Sequence, residues 1–148
     1  MTKKVYLAGP FFDEKNEQRN RAQKAFEALQ KNPTVGDIYL PMNNQEADYP
    51  ELSLEWSKEV YQRDINAMEN ADAIVAIHDF EGHGMDEGTA FEIGWAVGKK
   101  YIVLFQEKEA AVNVMPLQAA NYFTRSFDEL STIDFDNEEQ KEYDGEII

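Results

Sequence analysis

The uninterrupted apolar run AIVAI, Ala73 to Ile77, limits the fold of this chain more than any other stretch. A run this short and this apolar reads as a buried strand. Gly82, Gly84 and Gly88 punctuate the loop that follows, and an amphipathic helix is expected to begin near Thr89. A strand, a glycine loop and a helix N-terminus in that order place polar groups at the carboxyl edge of an α/β sheet, where such folds bind small ligands.

The rest of the chain repeats the alternation. Val5 to Gly9 reads as a strand stopped by Gly9-Pro10, and Glu17 to Lys31 as a helix carrying Ala22, Ala25, Phe26 and Leu29 at helical spacing. Asn32-Pro33 ends that helix, and Asp37 to Leu40 forms a second short strand. Met42 to Leu52 is polar, contains Pro50 and is expected to be a long loop. Ser53 caps a helix from Leu54 to Asn70, with Val60, Tyr61, Ile65 and Met68 as its apolar stripe. Tyr101 to Phe105 is another strand, Pro116 to Asn121 a short helix, Tyr122 to Arg125 the last strand and Phe127 to Leu130 a brief helix. Strands alternating with helices imply a mostly parallel sheet of about five strands covered on both faces, a flavodoxin-like three-layer sandwich. No repeat or linker divides residues 1–148, so one domain is expected, with 132–148 as an acidic C-terminal tail.

Charge and composition remove several classes of function. There are 14 Lys and Arg against 29 Asp and Glu, a net charge of −15. Such a surface repels phosphate backbones, so neither a nucleic acid polymer nor an anionic membrane is an expected partner. The chain has no cysteine and only His78 and His83, which argues against thiolate chemistry and a zinc site. The opening MTKKVYLAGP lacks the apolar core of a signal peptide, and no apolar run approaches the ~20 residues that span a bilayer. A cytoplasmic location is expected.

Among the polar residues, Glu92 demands an explanation. Phe91, Ile93, Trp95 and Ala96 surround it in sequence, and Gly88 and Gly94 leave room beside it. The bland alternative is a solvated helical glutamate; the functional one is a poorly solvated carboxylate kept ionised by the nearby helix N-terminus, as a nucleophile requires. Asp64 lies beside the apolar stripe of its helix and reads either as a stripe-edge residue or as a site acid. Asp86 reads as a loop or N-cap aspartate. Tyr6 sits on the first strand, where a core role is the simpler reading. Phe11 and Phe12 are adjacent in the Gly9-Pro10 loop and cannot easily share one core, which leaves one ring to face a planar ligand. His83, between two glycines, reads as a loop residue. One nucleophilic carboxylate with one or two further acids is equipment for retaining glycosyl transfer, which requires no metal or organic cofactor.

The opening KKVYLAGPFF, the helix YQRDINAMENADAIVAI, the stretch FEGHGMDEGTAFEIG and the NVM at Asn113 to Met115 together resemble the nucleoside 2-deoxyribosyltransferase family, over most of the chain. The resemblance implies 2′-deoxynucleosides and free nucleobases as substrates, a place in nucleotide salvage and no cofactor. It makes Glu92 the nucleophile and Asp64 and Asp86 acids that bind the nucleoside, either of them a candidate for proton transfer to the base. Tyr6 would orient the nucleophile, and Phe12 and Gln45 would contact the base. Gly9 and Gly88 fall in the matching ligand loops. Asn113 and Met115 would come from a neighbouring subunit, making a homodimer or a higher homo-oligomer the active unit. This chain ends Glu146-Ile147-Ile148, where some members end in an aromatic residue. Relatives that hydrolyse deoxynucleoside monophosphates grip phosphate with a loop rich in glycine, serine and arginine, whereas Ala8 to Phe12 offers no cation or hydroxyl. Rival readings are an N-glycosidase, in which water wins the second step, and a non-catalytic nucleoside-binding module.

Overall fold

A computed structural model of the chain describes residues 2–82 and 84–148; His83, expected in the glycine loop, lies outside them. Five strands, β1 (Lys3–Ala8), β2 (Val35–Tyr39), β3 (Ala73–Ile77), β4 (Tyr101–Phe105) and β5 (Tyr122–Thr124), form one sheet in the order β2-β1-β3-β4-β5. All neighbours are parallel, so each connection must cross from one end of the sheet to the other. The helices α1 (Glu17–Gln30), α2 (Leu54–Asn70), α3 (Glu87–Ala96), α4 (Val114–Ala119) and α5 (Phe127–Leu130) make those crossings and cap the end of the array. This is the flavodoxin-like three-layer arrangement that the alternation predicted.

The period of two along each strand sorts the core into two halves. Val5, Leu7, Val75, Ile77, Val103 and Phe105 point to the side where Ala22, Ala25 and Leu29 of α1 and Leu130 of α5 pack. Tyr6, Ala8, Ile74, Ala76, Ile102 and Leu104 point to the other, against Met68 of α2, Ile93 and Ala96 of α3 and Leu117 of α4. Each fully buried large side chain contributes about 1.5–3 kcal/mol of transfer free energy. Tyr6 is the one polar-tipped member of the second set, and its face is the one that receives α2 and α3.

Several boundaries move. β1 and β2 both begin two residues earlier than expected, and α4 starts at Val114 because Asn113 caps it, its side chain accepting from Met115 N. α3 likewise starts at Glu87, capped by Asp86, rather than near Thr89. It is not one-sided: Ile93 and Ala96 are buried, but Phe91 is 53% exposed. Nor does Tyr61 join the core stripe of α2, since it is 55% exposed and rests against Phe91, ring centroids 6.2 Å apart. Within the loop expected from Met42 to Leu52, Pro41–Asn43 makes a 3-10 turn.

The acidic tail is a strap. Ile133 and Phe135 are buried, Phe135 standing edge-on to Tyr101 at 5.6 Å. Lys141 then bridges to Tyr122 on the outer side of β5, and Ile147 to Val112. An otherwise open sheet edge is thereby covered, which also removes a template for association through strand pairing. Among the described residues no helix is long and apolar enough to cross a membrane.

Candidate active site

A cavity of about 500 Å³ opens beside the carboxyl end of β1, lined by residues from β1, α1, the segments after β1 and β2, α2 and α3. It lies next to the switch between β1 and β3, where the chain leaves β2 on one side and continues the sheet on the other. Gly9 belongs to its wall, and a side chain there would bring Cβ to 3.1 Å from Ile77 Cβ. Glycine lets the segment after β1 lie close to β3, where a side chain would have to displace Ile77.

Tyr6 reaches the cavity from mid-strand, wholly buried, and its hydroxyl donates to Glu92 Oε2 from α3. Burial pushes the Glu92 carboxyl up to about 7; the Tyr6 hydrogen bond works against that shift, while the charges of Asp64 and Asp86 add to it. The expectation that a helix N-terminus would hold Glu92 ionised is therefore overturned. Glu92 lies beyond the first turn of α3, where the dipole has faded, and desolvation dominates. Tyr6 is itself pushed far up, by burial first and then by Glu92 and Asp64, so it stays a neutral donor.

Asp64 enters the same cavity from α2. Burial raises its carboxyl as well, with Arg63 and Tyr39 opposing. Arg63 Nε is 3.9 Å from Asp64 Oδ1, too long for a hydrogen bond, and Arg63 Nη1 donates instead to Glu46 O at 2.6 Å. Among the described residues, three enclosed side-chain atoms lack a hydrogen-bond partner: the Tyr39 hydroxyl, Arg63 Nε and Asp64 Oδ1. They belong to neighbouring residues of one site rather than to scattered defects, as Arg63 and Asp64 both act on Tyr39.

The two phenylalanines divide as the sequence suggested. Phe11 is 7% exposed and joins the core, while Phe12 is 63% exposed at the mouth of the cavity. Arg19 of α1 lies 5.4 Å over the Phe12 ring and donates from Nη2 to Gln45 Oε1 at 3.3 Å. Ala8 to Phe12 carries no cation, yet α1 brings one to the same wall. Sequence reasoning missed Arg19, and also Arg63, Trp56 and Tyr49 of the lining. Arg63 directly precedes Asp64 in the helix, but nothing in the helical pattern marks it, and Arg19 is one polar residue among many on α1.

Four of the candidate residues do not line this cavity in a single chain. Asp86 serves as the N-cap of α3, Oδ2 accepting from Thr89 N at 3.2 Å and Thr89 Oγ1 at 3.3 Å. Gly88 makes space for that cap, since a Cβ there would lie 3.2 Å from Asp86 Oδ2. Asn113 caps α4, and Met115 beside it is 74% exposed. Of the segments that leave the carboxyl ends of β1, β2 and β3, only the first two line this cavity. After β3 the chain turns the other way: His78 and Asp79 are buried, and His78 Nδ1 lies 3.2 Å from Gln106 Nε2. Burial lowers the His78 imidazole. Among the described residues no three His, Asp or Glu side chains cluster as metal ligands.

Exposed Glu51 and the partly enclosed Asp64 and Glu92 face one cavity. With Glu92 gripped by a neutral hydroxyl and an exposed aromatic ring and an amide at the mouth, the site can bind a flat polar molecule and do acid–base or nucleophilic work on it. Comparison with known proteins narrows this. A family model described as nucleoside 2-deoxyribosyltransferase matches residues 5–142. A nucleoside deoxyribosyltransferase from Limosilactobacillus fermentum is 37% identical over 132 residues, covering 82% of this chain and 76% of the relative. The structure of a 2-deoxyribosyltransferase from Bacillus psychrosaccharolyticus superposes with a TM-score of 0.79 at 26% identity, covering 95% of this chain and 98% of the other. A second such enzyme, from Leishmania mexicana, matches at a TM-score of 0.55 and 26% identity over 74% of this chain and 68% of that one. By sequence and by fold, the chain belongs to the nucleoside 2-deoxyribosyltransferases, a family of pentosyltransferase enzymes.

Proposed function

We propose that this enzyme moves 2-deoxyribose from one nucleobase to another in two displacement steps, with Glu92 as the covalent carrier. The observation that carries the reading is the Tyr6 hydroxyl bound to Glu92 Oε2 in a cavity that Asp64 also lines. The Glu92 carboxylate attacks C1′ as the C1′–N bond breaks. The bonding pair goes to the base nitrogen, which takes a proton from Asp64, and a neutral base leaves a deoxyribosyl ester on Glu92. The nitrogen of a second base then attacks C1′, returns its proton to Asp64 and frees the carboxylate with overall retention. Burial supports both roles: it keeps Asp64 able to hold a proton, and it leaves the ionised Glu92 poorly solvated and therefore reactive. Because Asp86 is engaged as a helix cap, Asp64 is the better candidate for the acid. Orientation in the cavity and a preset hydroxyl supply the remaining acceleration, with no cofactor.

Exposed Asn113 and Met115 support a second element of the reading, in which a neighbouring subunit of a homo-oligomer presents them to this cavity. Mixing 2′-deoxyinosine with adenine tests the whole: deoxyadenosine should form, and intact-protein mass spectrometry should find one deoxyribosyl group on Glu92. Absence of both exchange and base release would end the reading. Free deoxyribose appearing at one rate with or without acceptor base would reassign the chain as a hydrolase.

A further inference from the structure

We propose that Tyr39 is a positioning residue for Asp64. Together with Arg63 it engages the carboxylate oxygen that substrate cannot reach, and so confines the transferable proton to the other. This rests on the reading of Asp64 as the acid that protonates the leaving base.

The enclosed atoms carry the inference. A polar atom shut away from water without a partner is costly, and native structures carry few. Here three fall at one spot, and their chemistry is complementary. Arg63 Nε–H can only donate, Asp64 Oδ1 when ionised can only accept, and the Tyr39 hydroxyl can do either. A small turn of the Asp64 side chain therefore converts three orphans into two hydrogen bonds converging on Oδ1. Arg63 is already moored at its other end to Glu46 O, in the segment after β2 that also supplies Gln45 to the cavity. An oxygen that accepts two donors is a poor place for a proton. The proton then resides on Oδ2, which is absent from the set of enclosed unpaired atoms.

The backbone reinforces this arrangement. Tyr6 and Tyr39 are register partners on adjacent strands, and their rings stack 5.6 Å apart with 14° between planes. Two tyrosines set side by side by one strand pair thus attend the two carboxylates, Tyr6 holding Glu92 and Tyr39 serving Asp64. Arg63 lines both the cavity and a second groove that Tyr39 also lines, while Asp64 faces the cavity alone.

Tyr39→Phe keeps the ring and its stacking and removes only the hydroxyl. The test compares donors whose leaving bases differ in their need for a proton: 2′-deoxyinosine against N7-methyl-2′-deoxyguanosine, and 2′-deoxyuridine against 5-fluoro-2′-deoxyuridine. Whichever base class the cavity accepts supplies one pair. The variant should lose about tenfold in kcat on the proton-requiring donor, the rate equivalent of one hydrogen bond, and little on its activated counterpart. Glu92→Gln, as the reference, should lose both donors alike. Equal loss on the two members of a pair, or no loss on either, overturns the role of Tyr39 while leaving the transferase reading in place. A wild type inactive on all four overturns that reading and this inference with it.

Discussion

Around Arg21 cations and carboxylates are interleaved, whereas around Glu92 acids stand near one another with a neutral hydroxyl between them and the core. Both groups sit at the carboxyl edge of the same sheet. Arg21 is 3% exposed, and its guanidinium donates to Glu107 Oε1 at 2.8 Å, Gln18 Oε1 at 2.6 Å and Glu17 Oε1 at 3.0 Å. Asp79 beside it accepts from Glu107 N and Lys108 N, both at 2.7 Å. Lys108 pairs with Glu17 in turn, and the two cations hold that exposed carboxyl below its usual range. At Glu92 the bonded partner is a tyrosine, and burial drives the acid the other way. The contrast separates two uses of buried charge. A satisfied network locks the segments after β3 and β4 onto α1, while an under-compensated acid stores reactivity at a cost in stability.

The largest effect that would break the contrast is on turnover. Glu92→Gln keeps an acceptor for the Tyr6 hydroxyl but cannot form the ester, so transfer should fall by roughly 10⁴-fold or more in a base-exchange assay. The same variant should be more stable than wild type at about pH 8, on the order of 2 kcal/mol by urea unfolding, since it removes a poorly solvated charge. The sign follows from the raised carboxyl. The folded protein holds the Glu92 proton up to about 7 while the unfolded chain releases it near 4.5. The stability contributed by that proton is therefore complete below about 4.5 and lost as pH rises through about 7.

Arg21→Ala asks the opposite question. It should leave the reacting groups in place and cost about 3 kcal/mol of unfolding free energy, because it strips the partner from a buried carboxylate. A loss under about 1 kcal/mol would mean that the network is no more than a solvated surface cluster.

Tyr6→Phe removes the hydrogen bond that pulls the Glu92 carboxyl down. The acid limb of kcat/KM, expected near 7 in the wild type, should move to higher pH, with a loss of about tenfold at neutral pH. Asp86→Asn is the mildest change, since asparagine also caps a helix. It removes one of the charges that raise Glu92, so the limb should shift slightly to lower pH and activity should stay within a few fold. A collapse of kcat in this variant, matched by a silent Asp64→Asn, would transfer the proton-donor role to Asp86.

What could be read from the chain was what local physics specifies. β3 and β4 occupy the apolar runs expected of them, α2 starts where Ser53 caps it, and α5 spans Phe127–Leu130. Runs, caps and glycine loops are decided by neighbours in sequence, so the alternation of elements and a mostly parallel sheet could be read from the chain alone, while the strand order came from the structure. The packing of the acidic tail was not legible because its many acidic residues outweigh Ile133 and Phe135, whose burial depends on partners far along the chain. Tyr61 was misassigned for the converse reason: it has the period of a core residue but faces away from the sheet.

The sequence by itself determined the α/β alternation, the acidic surface, the Ser53 cap of α2 and, through its motifs, the family. Only the tertiary structure decided which side chains meet: the Tyr6 hydroxyl with Glu92, Arg19 with Gln45, and Tyr39 next to Arg63 and Asp64. These pairs are set by strand register and by the angle at which helices cross the sheet, which no spacing along one chain encodes. The acidity of Glu92 belongs to the same class, because desolvation is a property of everything packed around a carboxylate rather than of the residue itself.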